Sequence, residues 1–331
     1  MIRVAINGFG RIGRMILRAG YKQKGIKFVA INSRSTPTKT LAHLLKYDSV
    51  HGKINAEINH DDDHIYLNKT KIKAFRESDP EKLPWKKLKI DIVIDCTGHF
   101  LTKELASKHL AAGAKKVILS APAKEKGIKT IVMGVNDHSL NKKDTIVSNA
   151  SCTTNCFAPL VKIFHDKLGI RVGFMVTSHA YTSTQRIIDG SHKDLRRARA
   201  AATNIIPTTS GAAKAVMEVL PQVGAKLHSS AMRVPVADGS VIYFVCEVKK
   251  KTSVEHVNSL FKKASKTKKM QNILEYTNEE IVSSDVIDNP SSCVFDSLRT
   301  IVDGDLVKVV AWYDNEWGYS NRIIDVVRKM G

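Results

Sequence analysis

The chain has 331 residues, 43% of them hydrophobic, enough for two domains with full cores on a prior of about 150 residues per domain. Its 52 basic and 32 acidic side chains give a net charge of +20, a balance that suits nucleic acid or small anions such as phosphorylated substrates and dinucleotides. No apolar run approaches the ~18 residues of a membrane-spanning helix, and five scattered cysteines without zinc spacing argue against a disulfide framework or a metal site.

The N-terminal run Met1-Ile2-Arg3-Val4-Ala5-Ile6 reads as a strand. It lacks a signal peptide's long apolar core, so a cytoplasmic location is expected. Through residue 150, short β-rich runs alternate with helical patterns. Strands are predicted from Arg3 to Asn7, Lys27 to Asn32, Asp91 to Cys96, Lys116 to Ser120, Thr130 to Val135 and Thr145 to Ser148. Helices are predicted from Arg11 to Lys24, Thr38 to Leu45 and Lys103 to Ala112. This alternation predicts an α/β fold, a Rossmann-type doubly wound parallel sheet with helices on both faces. A turn-rich insert from Asp48 to Glu81 interrupts it, with Asp61-Asp62-Asp63 as a hairpin tip. Beyond Cys156 longer alternating runs take over: Arg171 to His179, Leu227 to Pro235, Ser240 to Val248 and Leu306 to Tyr313. They predict an α+β domain whose sheet is mostly antiparallel, with helices on one side. The expected division is a dinucleotide-binding domain at 1–150, a catalytic domain at 151–314, and a C-terminal helix at 315–331 that returns to the first domain.

Gly8-Phe9-Gly10-Arg11-Ile12-Gly13 follows the first strand and opens the first helix. In that context the glycines serve a tight turn, a close backbone approach to a pyrophosphate, and helix–strand packing. The helix N-terminus then offers N–H groups to the phosphates. The fingerprint's usual acidic residue, about 20 positions on, is missing: the chain reads Ile31-Asn32-Ser33-Arg34-Ser35, with no carboxylate between Gly13 and Asp48. Nothing there repels a 2′-phosphate, and hydroxyls with Arg34 suit one. NADP is therefore expected as the preferred cofactor, with NAD able to bind through Asn32 and the pyrophosphate contacts. The bland alternative has Ser33 ending a strand and Arg34 facing water.

Ser151-Cys152-Thr153-Thr154-Asn155-Cys156 lies between a strand and a helical pattern. Cys152 falls in the first helical turn, where unpaired N–H groups favour a thiolate and hence covalent catalysis. A buried structural cysteine is the competing reading. Cys156, four residues on, shares its helix face. Among twelve histidines, His179 ends a predicted strand and begins His179-Ala180-Tyr181-Thr182, which makes it the candidate base.

These segments resemble phosphorylating glyceraldehyde-3-phosphate dehydrogenase over essentially the whole chain. The likeness rests on Ile6 to Arg14, Leu44 to Gly52, Ser120-Ala121-Pro122-Ala123-Lys124, Ser148 to Cys156, His179 to Thr182, Asp194 to Arg199 and Trp312 to Ser320. It implies that Cys152 attacks the aldehyde of glyceraldehyde 3-phosphate with His179 as base. A hydride leaves for the nicotinamide, and inorganic phosphate cleaves the resulting thioester. It also implies that Thr182 and Arg233, supported by Arg197, hold the substrate phosphate, and that Ser151, Thr153, Ser210 and Gly211 hold the incoming one. Ser120, Asn315 and Tyr319 fall at cofactor positions, Asn315 as the residue that orients the nicotinamide carboxamide. Gly190-Ser191 stands where relatives specific for NAD tend to carry Leu-Pro, so Ser191 is a second departure toward NADP. The segment from Tyr181 to Thr203 resembles the loop that reaches a neighbouring subunit's cofactor, which implies a homotetramer. Two other readings remain: an erythrose-4-phosphate dehydrogenase, which usually lacks the His-x-Tyr-Thr continuation, and a nucleic-acid-binding role for the basic surface. No zinc finger, RNA-binding aromatic motif or basic tail supports the latter.

Overall fold

The computed structural model describes residues 1–224 and 226–331, which fall into two compact units. The first comprises Met1–Ile131, Asp137–Ser151 and Ser320–Gly331; the second comprises Val132–Asn136 and Cys152–Tyr319.

The first unit contains strands β1 (Ile2–Asn7), β2 (Ile26–Asn32), β3 (Ile58–His60), β4 (His64–Leu67), β5 (Thr70–Phe75), β6 (Ile92–Asp95), β7 (Lys116–Leu119), β8 (Lys129–Thr130) and β9 (Ile146–Ser148). Its helices are α1 (Arg11–Gly20), α2 (Thr38–Lys46) and α3 (Lys103–Ala111). The strands form one sheet in the order β3-β4-β5-β2-β1-β6-β7-β9-β8. All pairs are parallel except β3–β4 and β4–β5. The predicted turn-rich insert is thus an antiparallel extension of the sheet edge. In the centre, Val4, Ile6, Ile31, Ile92, Ile94 and Val117 are all fully buried. Apolar residues on both sides of these strands are what a sheet covered on both faces requires.

The second unit contains α4 (Cys152–Leu168), β10 (Ile170–Ala180), β11 (Ile206–Thr209), α5 (Ala212–Val219), α6 (Pro221–Gly224), β12 (Leu227–Val234), β13 (Ser240–Val248), α7 (Val254–Ser265), β14 (Leu274–Thr277), β15 (Cys293–Asp303) and β16 (Leu306–Tyr313). Helix α8 (Trp317–Met330) begins here, and its residues from Ser320 onward belong to the first unit. The sheet order is β11-β12-β10-β13-β16-β15-β14, with antiparallel pairs except β10–β12 and β14–β15. Phe157 and Phe164 of α4 meet Phe244 edge to face, and Phe261 of α7 stacks on Phe295 at 4.0 Å. On the other face of this sheet, Val172, Phe174, Tyr243, Ile301 and Leu306 are exposed apolar side chains, placed together by the β10–β13–β16–β15 register.

One predicted strand is corrected. The run from Thr130 to Val135 leaves the sheet after Thr130. Gly134 takes φ +79° and the Asn136 side chain accepts the Val132 N–H at 2.8 Å, which closes a turn. Buried Ile131, Val132 and Val135 give this turn the apolar signature of a strand. Helix α1 also ends sooner than expected, at Gly20, whose missing Cβ makes room for Phe28 and Ile324.

The fingerprint glycines occupy the positions their spacing predicts. Gly8 has φ +92°, and a Cβ on Gly13 would lie 2.3 Å from the Gly8 carbonyl oxygen. That obstacle is backbone and cannot rotate away. Gly13→Ala is expected to lower the melting temperature of the ligand-free protein by several degrees, following an overpacking cost of about 1–3 kcal/mol. A melting curve that superimposes on wild type would contradict this packing.

Candidate active site

In the first unit the G-x-G-x-x-G turn leads from β1 into α1. No side chain caps α1, and a Cβ on Gly10 would point into open space. An uncapped helix start beside an open glycine is what a pyrophosphate needs, so the residues present fit a dinucleotide. The Arg11 guanidinium binds Asp48 with two hydrogen bonds, of 2.7 and 3.2 Å. Asp48, which also accepts the Val50 and His51 N–H groups, is held down to about 2 despite its burial. The Arg11 side chain is thus taken up by Asp48, and the Phe9 ring is buried, which leaves their backbone groups at the turn. Ile12 lies in the first turn of α1. The Ser33 hydroxyl meets Thr36 at 3.1 Å and Arg34 is exposed. Ser120 follows β7, its N–H on the Asp95 carbonyl. The Asn32 amide is taken up by Asn7 and by both backbone groups of Glu77. These bonds hold the strand end in place.

In the second unit Cys152 opens α4, directly after Ser151, and its Sγ lies 3.3 Å from His179 Nε2 near the end of β10. Parallel pairing sets His179 of β10 beside Arg233 of β12. The Ala180 carbonyl lies 2.7 Å from His179 Nδ1 and accepts Arg233 Nη1–H at 2.9 Å. Arg233 Nη1 lies 2.7 Å from the same Nδ1, so a carbonyl acceptor and a guanidinium donor both meet it, while Nε2 faces the sulfur. Cys152 keeps some exposure, yet the dense packing around it pushes its thiol up to about 11, against the pull of Arg233 and of the Thr153 hydroxyl and N–H. Burial, and then Arg233, push His179 down to about 3. The helix start favours a thiolate, while burial opposes charge on both the thiol and the imidazole. Such a pair works by general-base transfer as sulfur attacks.

Arg233 has a buried Nε without a hydrogen-bond partner among the described residues, and none of their carboxylates pairs with it. Its own pKa is lowered by burial. A half-buried guanidinium without a counter-charge is a place for an anion. Arg197 acts electrostatically on both Arg233 and His179, while its Nε donates to Thr208 at 3.0 Å. Thr182 and Ser210 bond within their own loops: Thr182 to Thr184 at 2.9 Å, and Ser210 Oγ to the Ala212 N–H at 3.2 Å. Gly211 caps α5. Ser229 clamps that start by donating to the Ser210 carbonyl and accepting the Ala213 N–H. The Thr153 hydroxyl meets Tyr313 Oη at 3.0 Å, which ties it to the thiol's support. Ser191 is exposed, and its carbonyl accepts from the Arg186 guanidinium.

Asn315 is buried, and its Oδ1 accepts the Ser240 hydroxyl at 2.5 Å. Ser240 Oγ in turn accepts the Ala180 N–H at 3.1 Å. The amide is thereby oriented from the same strand that carries His179. Tyr319 is buried in α8. Four supports had no signal of their own in the sequence: Tyr313, Thr177, Ser240 and Asp238. Tyr313 Oη bridges Thr153 and Thr177, the latter at 2.9 Å. The Asp238 carboxyl is pushed up to about 9 by burial and by Asp314, which caps α8 by accepting the Glu316 and Trp317 N–H groups.

Residues 2–103 match the family model described as glyceraldehyde 3-phosphate dehydrogenase, NAD binding domain, and residues 151–315 match its C-terminal domain. A curated protein of Streptomyces avermitilis, glyceraldehyde-3-phosphate dehydrogenase 2, is 52% identical over 100% of this chain and 98% of its own length. The Bacillus subtilis protein of the same name is 50% identical over 99% of this chain and 96% of its own. Glyceraldehyde-3-phosphate dehydrogenase of Geobacillus stearothermophilus is 51% identical over 98% of this chain and 97% of its own.

The raised Asp238 acid has a consequence for stability. The folded protein keeps this proton while the unfolded chain releases it above about pH 4, so its contribution is full in acid and is lost as pH rises toward 9. Asp238→Asn is expected to raise the melting temperature at pH 8 by several degrees, with a smaller gain at pH 5. A variant less stable than wild type at pH 8 would contradict a neutral Asp238.

Proposed function

This chain belongs to the glyceraldehyde-3-phosphate dehydrogenase family, and we propose that it oxidises D-glyceraldehyde 3-phosphate with inorganic phosphate and a nicotinamide dinucleotide, reversibly giving 1,3-bisphosphoglycerate. The observation that carries the reading is Cys152 Sγ at 3.3 Å from His179 Nε2, next to an arginine without a counter-carboxylate.

His179 Nε2 takes the thiol proton as sulfur attacks the aldehyde carbon, which gives a thiohemiacetal. The imidazolium so formed, with the start of α4, stabilises the oxyanion. The nicotinamide, when bound, supplies the hydride acceptor. His179 passes its proton to that oxygen and takes it back as the hydride leaves, and a thioester remains on Cys152, which keeps the oxidation energy that a free acid would dissipate. Inorganic phosphate attacks that carbonyl, the C–S bond breaks, and the sulfur leaves as thiolate to recover its proton. Arg233 with Thr182, supported by Arg197, holds the substrate phosphate. Ser151, Ser210 and Gly211 offer donors to the incoming phosphate, and Thr153 supports the thiol. Gly8 to Gly13 and Ser120 would hold the dinucleotide, and Asn315 beside Tyr319 would orient its carboxamide.

We assign the cofactor preference to NADP. Ser33 with exposed Arg34 supports this, as does Ser191 in the long exposed loop. Thr182 favours glyceraldehyde 3-phosphate over erythrose 4-phosphate. A homotetramer fits two apolar surfaces: the exposed sheet face with Phe174 and Tyr243, and the loop in which Ile187, Ile188 and Leu195 are 78–85% exposed.

Cys152→Ala should lose at least roughly 10³-fold in kcat while retaining dinucleotide affinity. Turnover near wild type would refute the nucleophile assignment. Ser33→Asp places a carboxylate where a 2′-phosphate would lie, a repulsion of up to roughly 4 kcal/mol at about 4 Å and an effective dielectric of about 20. The ratio of kcat/KM for NADP to that for NAD should therefore fall by about tenfold or more. Wild-type protein that already prefers NAD would overturn the cofactor assignment.

A further inference from the structure

At the carboxyl ends of β1, β2 and β6 lies a line of buried polar side chains that the proposed chemistry does not use. It runs through Trp85, His109, Asp95, Asn7 and Asn32, each at most 4% exposed. Trp85 Nε1–H donates to His109 Nδ1 at 3.1 Å. With Nδ1 accepting, the ring proton sits on Nε2, which donates to Asp95 Oδ2 at 3.3 Å. Asn7 Nδ2 donates to the same oxygen at 2.7 Å. The other oxygen, Oδ1, accepts the Thr97 N–H at 3.1 Å and the Thr97 hydroxyl at 2.7 Å. Asn7 Oδ1 accepts Asn32 Nδ2 at 2.7 Å, and Asn32 closes the line on the Glu77 backbone, with both bonds at 2.9 Å.

Asp95 thus receives four donors, from Asn7, Thr97 and His109, and Asn7 links it onward to Asn32; Asn7, Thr97 and Asn32 each stand at a different loop. Asn7 precedes the Gly8 turn. Thr97 begins the loop after β6, and its backbone N lies 2.8 Å from where a Cβ on Gly8 would stand. Asn32 precedes Ser33. In open parallel sheets ligands bind at these strand ends. A buried carboxylate is weak evidence for stability, because apolar packing of equal volume often serves as well. A fully satisfied network does fix positions.

We propose that Asp95 and His109 are positioning residues for the dinucleotide. Trp85 fixes the tautomer of His109, His109 and Asn7 fix the Asp95 carboxylate, and the carboxylate fixes the three loops that would embrace the cofactor. Neither residue touches it. The inference rests on the reading of this unit as a dinucleotide site.

The test is calorimetric titration with NAD and NADP, together with steady-state kinetics. His109→Leu removes the donor and should raise the dissociation constant and the cofactor KM by roughly tenfold, with kcat at saturating cofactor within about twofold of wild type. His109→Gln, which can still donate toward Asp95, should recover most of the affinity. Trp85→Phe keeps the aromatic core and deletes only the N–H, so it reports even if His109→Leu fails to fold; about a threefold rise is expected. Folded variants that bind as wild type overturn the proposal. So does a Gln variant as weak as the Leu variant, which would assign the loss to packing. Wild-type protein that binds neither dinucleotide overturns the site reading, and this inference with it.

Discussion

The register between β10 and β12 is the constraint on which the catalytic half depends. Parallel pairing sets His179 opposite Arg233, so both side chains leave the sheet on one face at neighbouring strand ends. The first turn of α4 brings Cys152 to that place, with Sγ 3.3 Å from the imidazole. A one-residue slip of either strand would put the two side chains on opposite faces and dismantle the site at once. The register is held by alternation: β10 buries Met175 and Thr177 on one side and exposes Val172 and Phe174 on the other. The same two strands supply the Ala180 carbonyl and the Arg233 guanidinium, which both meet His179 Nδ1.

Two buried carboxyl groups show how each unit handles charge at its site. Asp95 in the first unit meets four donors and acts as a fixed acceptor. Asp238 in the second lies against Asp314 and keeps its proton. Because Asp314 accepts the first N–H groups of α8, it is the better placed of the two to hold the charge. Asn315 follows Asp314 in the chain, and its amide oxygen is held from β13 by the Ser240 hydroxyl.

What the sequence revealed depended on how local each cause is. The glycine fingerprint is local: Gly8 needs a positive φ, and Gly13 needs the absence of a Cβ, so spacing alone located them. The central strands were legible because both faces are buried. The stretch from Thr130 to Val135 misled because a buried turn carries the same apolar residues as a strand, and only Gly134 and Asn136 distinguish it. Cys152 and His179 were legible through motif and resemblance. Their supports were not: Tyr313 reaches Thr153 across 160 residues of sequence, and Ser240 reaches Asn315 across 75. Such contacts have no period and no fixed spacing. Asn32 was visible, but its partners, Asn7 and Glu77, were not, because they lie 25 and 45 residues away.

In the proposed reaction Cys152 carries the substrate's acyl group between oxidation and phosphate attack. Mixing the protein with glyceraldehyde 3-phosphate and a nicotinamide dinucleotide, with inorganic phosphate omitted, isolates that step. A burst of about one reduced cofactor per active site is expected, with a phosphoglyceroyl adduct on the Cys152 peptide by mass spectrometry, discharged when phosphate is added. Continuous turnover without phosphate, or a burst with no adduct on Cys152, would contradict it.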